Sequence, residues 1–319
     1  MLFIAYFGNL KDINNGFDIF IRMTSDITDE FINNYKNKLW FSIQDKEQLN
    51  NYTDIKYIEN FNICLLPENN KDLILNKYDG ICSKYISYYK QMFNAKKRYA
   101  LIINGRLKCY EIKLIPDIIK FLEENEDSWI DIHINLNEKK ENLNNYLNLP
   151  YIDYPFIATI DCNEYITNEY MQNHPTRLKH LLHHIYISSM FYTTMKAFYQ
   201  LKWFSKNNNI KYDLIIKYRS DIIENNKLPD LSNIEDNILY MPLCQRYVEV
   251  NFLEPVNDQV AIGTYDIMKK YCMVYPNIDI YLKNNDMLYH PETILSYHLK
   301  YNNIIIKPLN FHYILGPRR

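Results

Sequence analysis

The sharpest chemical signal in the chain is Tyr212-Asp-Leu-Ile-Ile-Lys-Tyr218, a compact apolar run that reads as a strand and delivers Arg219-Ser-Asp221 at its end. In an open α/β sheet, ligands collect outside the carboxyl ends of the strands. A carboxylate emerging there can hold a hard cation that bridges phosphates and neutralises charge as a diphosphate leaves. The plainer alternative is that Asp221 caps the following turn. A second carboxylate stands in Asn257-Asp-Gln259, ahead of Val-Ala-Ile-Gly263 and a helix. Asp258 can serve there as a general base on a hydroxyl, or simply as a helix cap. A third group is Tyr289-His-Pro-Glu292. Glu292 suits the positive end of a helix starting at Thr293, and His290 is either a ligand or a loop residue.

Other residues carry less. Gly105, in Asn104-Gly-Arg106, ends a strand where a ligand can approach the backbone closely. Lys196 lies on a long helix, where it can reach a phosphate or stay solvated. His180 and His184 share a helical face with His183 nearby, but Leu181 stands where H-E-x-x-H needs its glutamate, so they read as surface histidines. No G-x-G-x-x-G, Walker or G-x-S-x-G pattern occurs to support a dinucleotide-binding, P-loop or α/β-hydrolase reading.

Strands alternating with helices must position these groups. Strands are expected over Tyr99–Ile103, Ile130–Leu136 (half-buried by its alternation), Phe156–Ile160, Leu214–Tyr218, Ile238–Met241 and Ile304–Ile306. Helices are expected over Leu114–Leu122, from Leu178 to Phe204, over Tyr265–Tyr275 and over Thr293–Lys300. This order predicts an α/β sheet with largely parallel strands. The polar, basic stretch Asn94-Ala-Lys-Lys-Arg98 marks a boundary, giving an accessory segment over residues 1–97 and a main domain over 98–319. Before it, Leu2–Phe7, Phe17–Ile21 and Ile63–Leu66 read as strands, and Glu30–Trp40 and Ile81–Phe93 as helices. This part shows no recognisable chemistry.

Composition narrows the classes. At 47% hydrophobic residues a real core forms. A net charge of −2 argues against a sequence-independent nucleic-acid binder and against a polybasic membrane anchor. The apolar start stops at Gly8, too soon for a signal peptide, and no run approaches the ~20 apolar residues of a membrane span. Six cysteines without a C-x-x-C pair read as reduced thiols, so a cytoplasmic protein is expected.

Taken in order, the pieces resemble a family. Tyr99-Ala-Leu-Ile-Ile-Asn-Gly-Arg-Leu-Lys-Cys-Tyr-Glu111 is similar to the opening strand and loop of GT-A-like glycosyltransferases of the kind found in large DNA viruses and bacterial polysaccharide loci. Ser189–Phe198 resembles their central helix, and Lys217-Tyr-Arg-Ser-Asp221 a variant of their metal-binding D-x-D. Asn257-Asp-Gln-Val-Ala-Ile-Gly263 and His290-Pro-Glu292 with Leu295 and His298-Leu299 resemble two later segments. The resemblance covers about residues 98–315. It implies a GT-A-like, mixed and mostly parallel sheet flanked by helices, with the amino-terminal α/β segment as an accessory. It implies a nucleotide-sugar donor, a hydroxyl acceptor on a glycan, and Mn2+ or Mg2+ near Asp221. Gly105 and Arg106 would border the nucleotide, Arg219 with Lys196 would contact the diphosphate, Asp258 would be the base, and His290 and Glu292 would line the site. One departure stands out: Arg219 stands where a standard D-x-D has its first Asp, so either Asp221 alone binds the metal or Arg219 takes over part of the diphosphate neutralisation. A sugar nucleotidyltransferase and a non-catalytic carbohydrate-binding scaffold are the alternatives.

Overall fold

The structure is a computed structural model. It describes residues 2–4, 19–22, 39–43, 62–65, 80–82, 86–105, 114–137, 157–163, 181–222, 228–242, 256–284, 290–313 and 315. The chain divides into two units, Met1–Asn94 with Asp153–Pro155, and Ala95–Ile152 with Phe156–Arg319. The division falls inside the basic stretch Asn94–Arg98. Among the described residues, no helix is long and apolar enough to cross a membrane.

In the first unit, β1 (Leu2–Ile4), β2 (Ile19–Arg22), β3 (Leu39–Ile43), β4 (Asn62–Leu65) and β5 (Gly80–Cys82) form a sheet in the order β1-β5-β4-β3-β2. Every neighbouring pair is parallel. Helix α1 covers Ile86–Asn94. Two expectations are corrected here. Leu39 and Trp40 open a strand instead of closing a helix, and Ile81 and Cys82 end β5 instead of starting α1. Short apolar runs do not distinguish the two periods, and pairing with a neighbouring strand decides. Residues 30–38 of the expected helix lie outside the described residues.

The second unit carries β6 (Lys97–Gly105), β7 (Ser128–Asn137), β8 (Ile157–Asn163), β9 (Leu214–Arg219), β10 (Ile238–Pro242), β11 (Val260–Gly263) and β12 (Ile305–Leu309) in the order β12-β10-β11-β9-β6-β7-β8. Only β11 is antiparallel to its neighbours; the other pairs are parallel. The unit is thus α/β, with a mixed, mostly parallel sheet. The helices are α2 (Ile115–Glu124), α3 (Leu181–Asn208), α4 (Tyr265–Cys272), α5 (Ile278–Asn284) and α6 (Pro291–Tyr301). Pro116 sits in the first turn of α2, where its missing N–H costs nothing.

β6 is an apolar run, and Ala100 to Ile103 are wholly buried. Parallel strands covered on both faces have this composition. Ala100 and Ile102 join one core with Phe191, Ala197, Phe198 and Leu201 of α3, Ile215 of β9 and Leu295 of α6. Burying each large side chain stabilises the unit by roughly 1.5–3 kcal/mol. α3 ends where Asn209 turns left-handed at φ 53°, with Ile210 N–H donating back to Ser205 O at 2.9 Å. β7 corrects the half-buried expectation. Its polar positions Asp131, His133 and Asn135 are buried as deeply as its apolar ones. Asp131 and His133 are tolerated because they are bonded. Arg98 grips Asp131 through Nε (2.9 Å) and Nη2 (3.2 Å), while Trp129 Nε1 (2.9 Å) and Tyr212 OH (2.8 Å) donate to the same carboxylate.

Candidate functional site

From β6 the sheet grows to β7 and β8 on one side, and β9 then joins its other side. At such a reversal the helices diverge and leave a crevice outside the strand carboxyl ends. Asn104 and Arg219 pair across this point, so the sheet register itself brings Gly105 beside Ser220. Gly105 takes φ +122°, and a Cβ there would stand 3.1 Å from Ser220 Oγ. Ser220 N–H donates to Asn104 O at 3.2 Å. The glycine is therefore required by both backbone angle and space.

Asp221 follows two residues after β9 and is buried. Arg219 Nε lies 2.7 Å from its Oδ1, and Nη2 donates to Oδ2 at 3.1 Å. Asp258 stands just ahead of β11, whose antiparallel pairing with β9 returns it to the same end of the sheet. Its Oδ2 is 4.0 Å from Arg219 Nη1. Gly105, Arg219, Asp221 and Asp258 thus converge. Burial opposes the guanidinium's charge, but Asp221 and Asp258 override it and raise the Arg219 pKa. Glu292 belongs to the same field. Burial raises its pKa, and the negative charge of Asp258 adds to the effect. His290, the N-cap of α6, holds Nδ1 2.8 Å from Glu292 Oε2.

Three further groups join the site through contacts that its sequence motifs do not announce. Lys217 is wholly buried and donates through Nζ to the carbonyls of Asp258 and Gln259, the latter at 3.2 Å. Burial pulls its pKa down to about 8, against the pull of Asp258. A lysine inside the apolar run of β9 was a legible signal, since buried lysines are rare unless paired. Asn104 Nδ2 donates to Thr194 Oγ1 of α3 at 2.7 Å, leaving its buried Oδ1 without a partner. Tyr313 reaches Asn257 and Gln259 from the far end of the chain, which no local pattern announces.

Lys196 does not share this arrangement. It lies about 200° around the helix from Thr194, and it is half-buried without an ion pair to a described residue. Arg106 and His180, and the side chains of His183 and His184, lie outside the described residues. As arranged, the donors do not fit a divalent cation. Such an ion needs several oxygens, whereas Asp221 faces a guanidinium with both of its own. Among the described residues, no three His, Cys, Asp or Glu side chains group as metal ligands. Beside Asp258, a cavity of about 10 Å³ is lined by Met190, Phe191, Thr194, Tyr271 and Leu295, room for about one water. Asp258 Oδ1 is buried with no hydrogen-bond partner. Compared with known proteins, the chain matches no family model and no curated sequence.

Proposed function

We propose that this protein is a GT-A-like glycosyltransferase that moves a sugar from a nucleoside-diphosphate donor to a hydroxyl of a glycan. The observation carrying the reading is the convergence of Gly105, Arg219, Asp221 and Asp258 at the reversal point of a mixed, mostly parallel sheet. Each has a distinct task in it. Gly105 lets a diphosphate approach the backbone, and Arg219 neutralises it with the forked geometry that suits phosphate oxygens. Asp221 orients the guanidinium, which carries the work that Mn2+ or Mg2+ would do in a D-x-D site. Asp258 accepts the proton of the attacking hydroxyl, and Glu292 with His290 bounds the acceptor side.

A second reading, a non-catalytic carbohydrate-binding scaffold, draws on the neutralised Asp221 and the small volume beside Asp258. Calorimetric titration with nucleoside diphosphates and nucleotide sugars, with and without manganese, separates the two. The transferase should bind a nucleoside diphosphate without added metal. Arg219→Met should weaken that binding about tenfold or more, the scale of a lost charged hydrogen bond. Asp258→Asn should bind normally while transfer falls roughly 10²–10⁴-fold. Binding that strictly requires manganese and disappears in Asp221→Asn returns the metal to Asp221. A protein that binds no nucleotide under either condition refutes the reading in favour of the scaffold.

A further inference from the structure

The Asp258 turn is tied down from two directions. Beneath it, Lys217 Nζ donates to the carbonyls of Asp258 and Gln259. Above it stands one phenol: Asn257 Nδ2 donates to Tyr313 OH at 2.6 Å, and Tyr313 OH donates to Gln259 Oε1. Asn257 Oδ1 also accepts the Gln259 N–H at 2.8 Å, closing an Asx turn around Asp258. The residues on both sides of Asp258 are therefore joined through a single hydroxyl, while its own buried Oδ1 makes no hydrogen bond.

The segment supplying Tyr313 is anchored at both ends. Phe311 is buried 6.2 Å from the Tyr218 ring of β9, and it stacks on Tyr313 at 5.9 Å and 27°. Leu315 forms an antiparallel bridge with Ile222, the residue after Asp221. Over five positions the chain thus touches the immediate neighbours of both candidate carboxylates. Tyr313 also lies within electrostatic reach of Arg219.

We propose that this C-terminal segment is a strap built into the site, with Tyr313 as the positioning residue that sets Asp258. This rests on the transferase reading for its kinetic consequence and on geometry alone for its structural one. An acceptor pocket must hold its base to a fraction of an ångström, and small displacements there are costly. The Tyr313 hydroxyl supplies that restraint without contacting a reacting atom.

Tyr313→Phe tests this, because it keeps the ring packed on Phe311 and removes only the hydroxyl. Amide exchange is measured over residues 256–263 and, as internal reference, over 128–136, alongside donor KM and transfer kcat. The strap requires exchange over 256–263 to rise about tenfold with the reference unchanged, and kcat to fall roughly tenfold while donor KM stays within about twofold. Unchanged exchange over 256–263 overturns the proposal. So does loosening that extends equally through the reference strand, which marks Tyr313 as merely structural. If the wild type transfers no sugar, the transferase reading falls, and the exchange comparison still decides whether the strap holds the turn.

Discussion

Replacing His133 with Gln should remove an acid lability that the fold carries in β7, next to the edge strand of its larger sheet. His133 is wholly buried in β7, its Nδ1 3.2 Å from Thr159 Oγ1 and its Nε2 3.4 Å from Tyr212 OH. Burial lowers its pKa to about 4, although Asp131 pulls the other way. In the unfolded chain an imidazole titrates near about 6.5. Above that pH both states hold the neutral ring, so the group contributes no pH dependence. As pH falls from about 6.5 towards about 4, the unfolded chain binds a proton that the folded chain refuses, and stability is lost across that window. At about 1.36 kcal/mol per pKa unit, the full loss is about 3 kcal/mol. For a unit of this size that corresponds to roughly 6–12 °C in melting temperature. Gln keeps a polar group for Thr159 and Tyr212 and takes no proton. Asp131 does not confuse the test. Burial would raise its pKa, but Arg98 holds it down, so its contribution is complete above about 3.9 and fades only below that value. Melting curves of wild type and His133→Gln at pH 7.5, 6.5, 5.5 and 4.5 measure the difference directly. Between pH 7.5 and 4.5 the gap between the two proteins should shift by about 2.5 kcal/mol in favour of the variant, most of the full loss. Parallel curves across this range would refute the reasoning.

Two further changes test the frame around the site. Gly105→Ala forces a side chain into positive φ against Ser220 Oγ and should cost about 1–3 kcal/mol; Ser220→Ala should restore only the steric part, as a double-mutant cycle in urea would measure, and a Gly105→Ala protein as stable as wild type would remove the strain argument. Asp131→Asn leaves Arg98 without its buried counter-charge and should cost on the order of 3 kcal/mol at neutral pH, read from denaturant midpoints; a loss below about 0.5 kcal/mol would show that the ion pair contributes only what a surface pair does.

Much of this protein is legible along the chain. β6 and β9 follow from apolar, β-branched runs, and α3 from its recurring apolar face. The placement of Asp221 past a strand end follows from where the run Leu214–Tyr218 stops, because a strand's length and exit are local properties. What the chain does not announce is which distant group each residue meets. Val260–Gly263 is too short to carry a direction, and only pairing with β9 makes it antiparallel and brings Asp258 back to Arg219. The polar residues of β7 suggest a half-exposed strand until cover on both faces, and the bonds to Arg98 and Tyr212, make their burial tolerable. Tyr313 joins the site from 54 residues beyond Gln259. By contrast, Asp221 meets the guanidinium of Arg219 only two residues away, a local contact. Hydrophobic period and turn chemistry act over a few residues and determine elements. Long-range charge pairing and strand register act across the whole chain, so the tertiary structure alone decides that Asp258 meets Arg219.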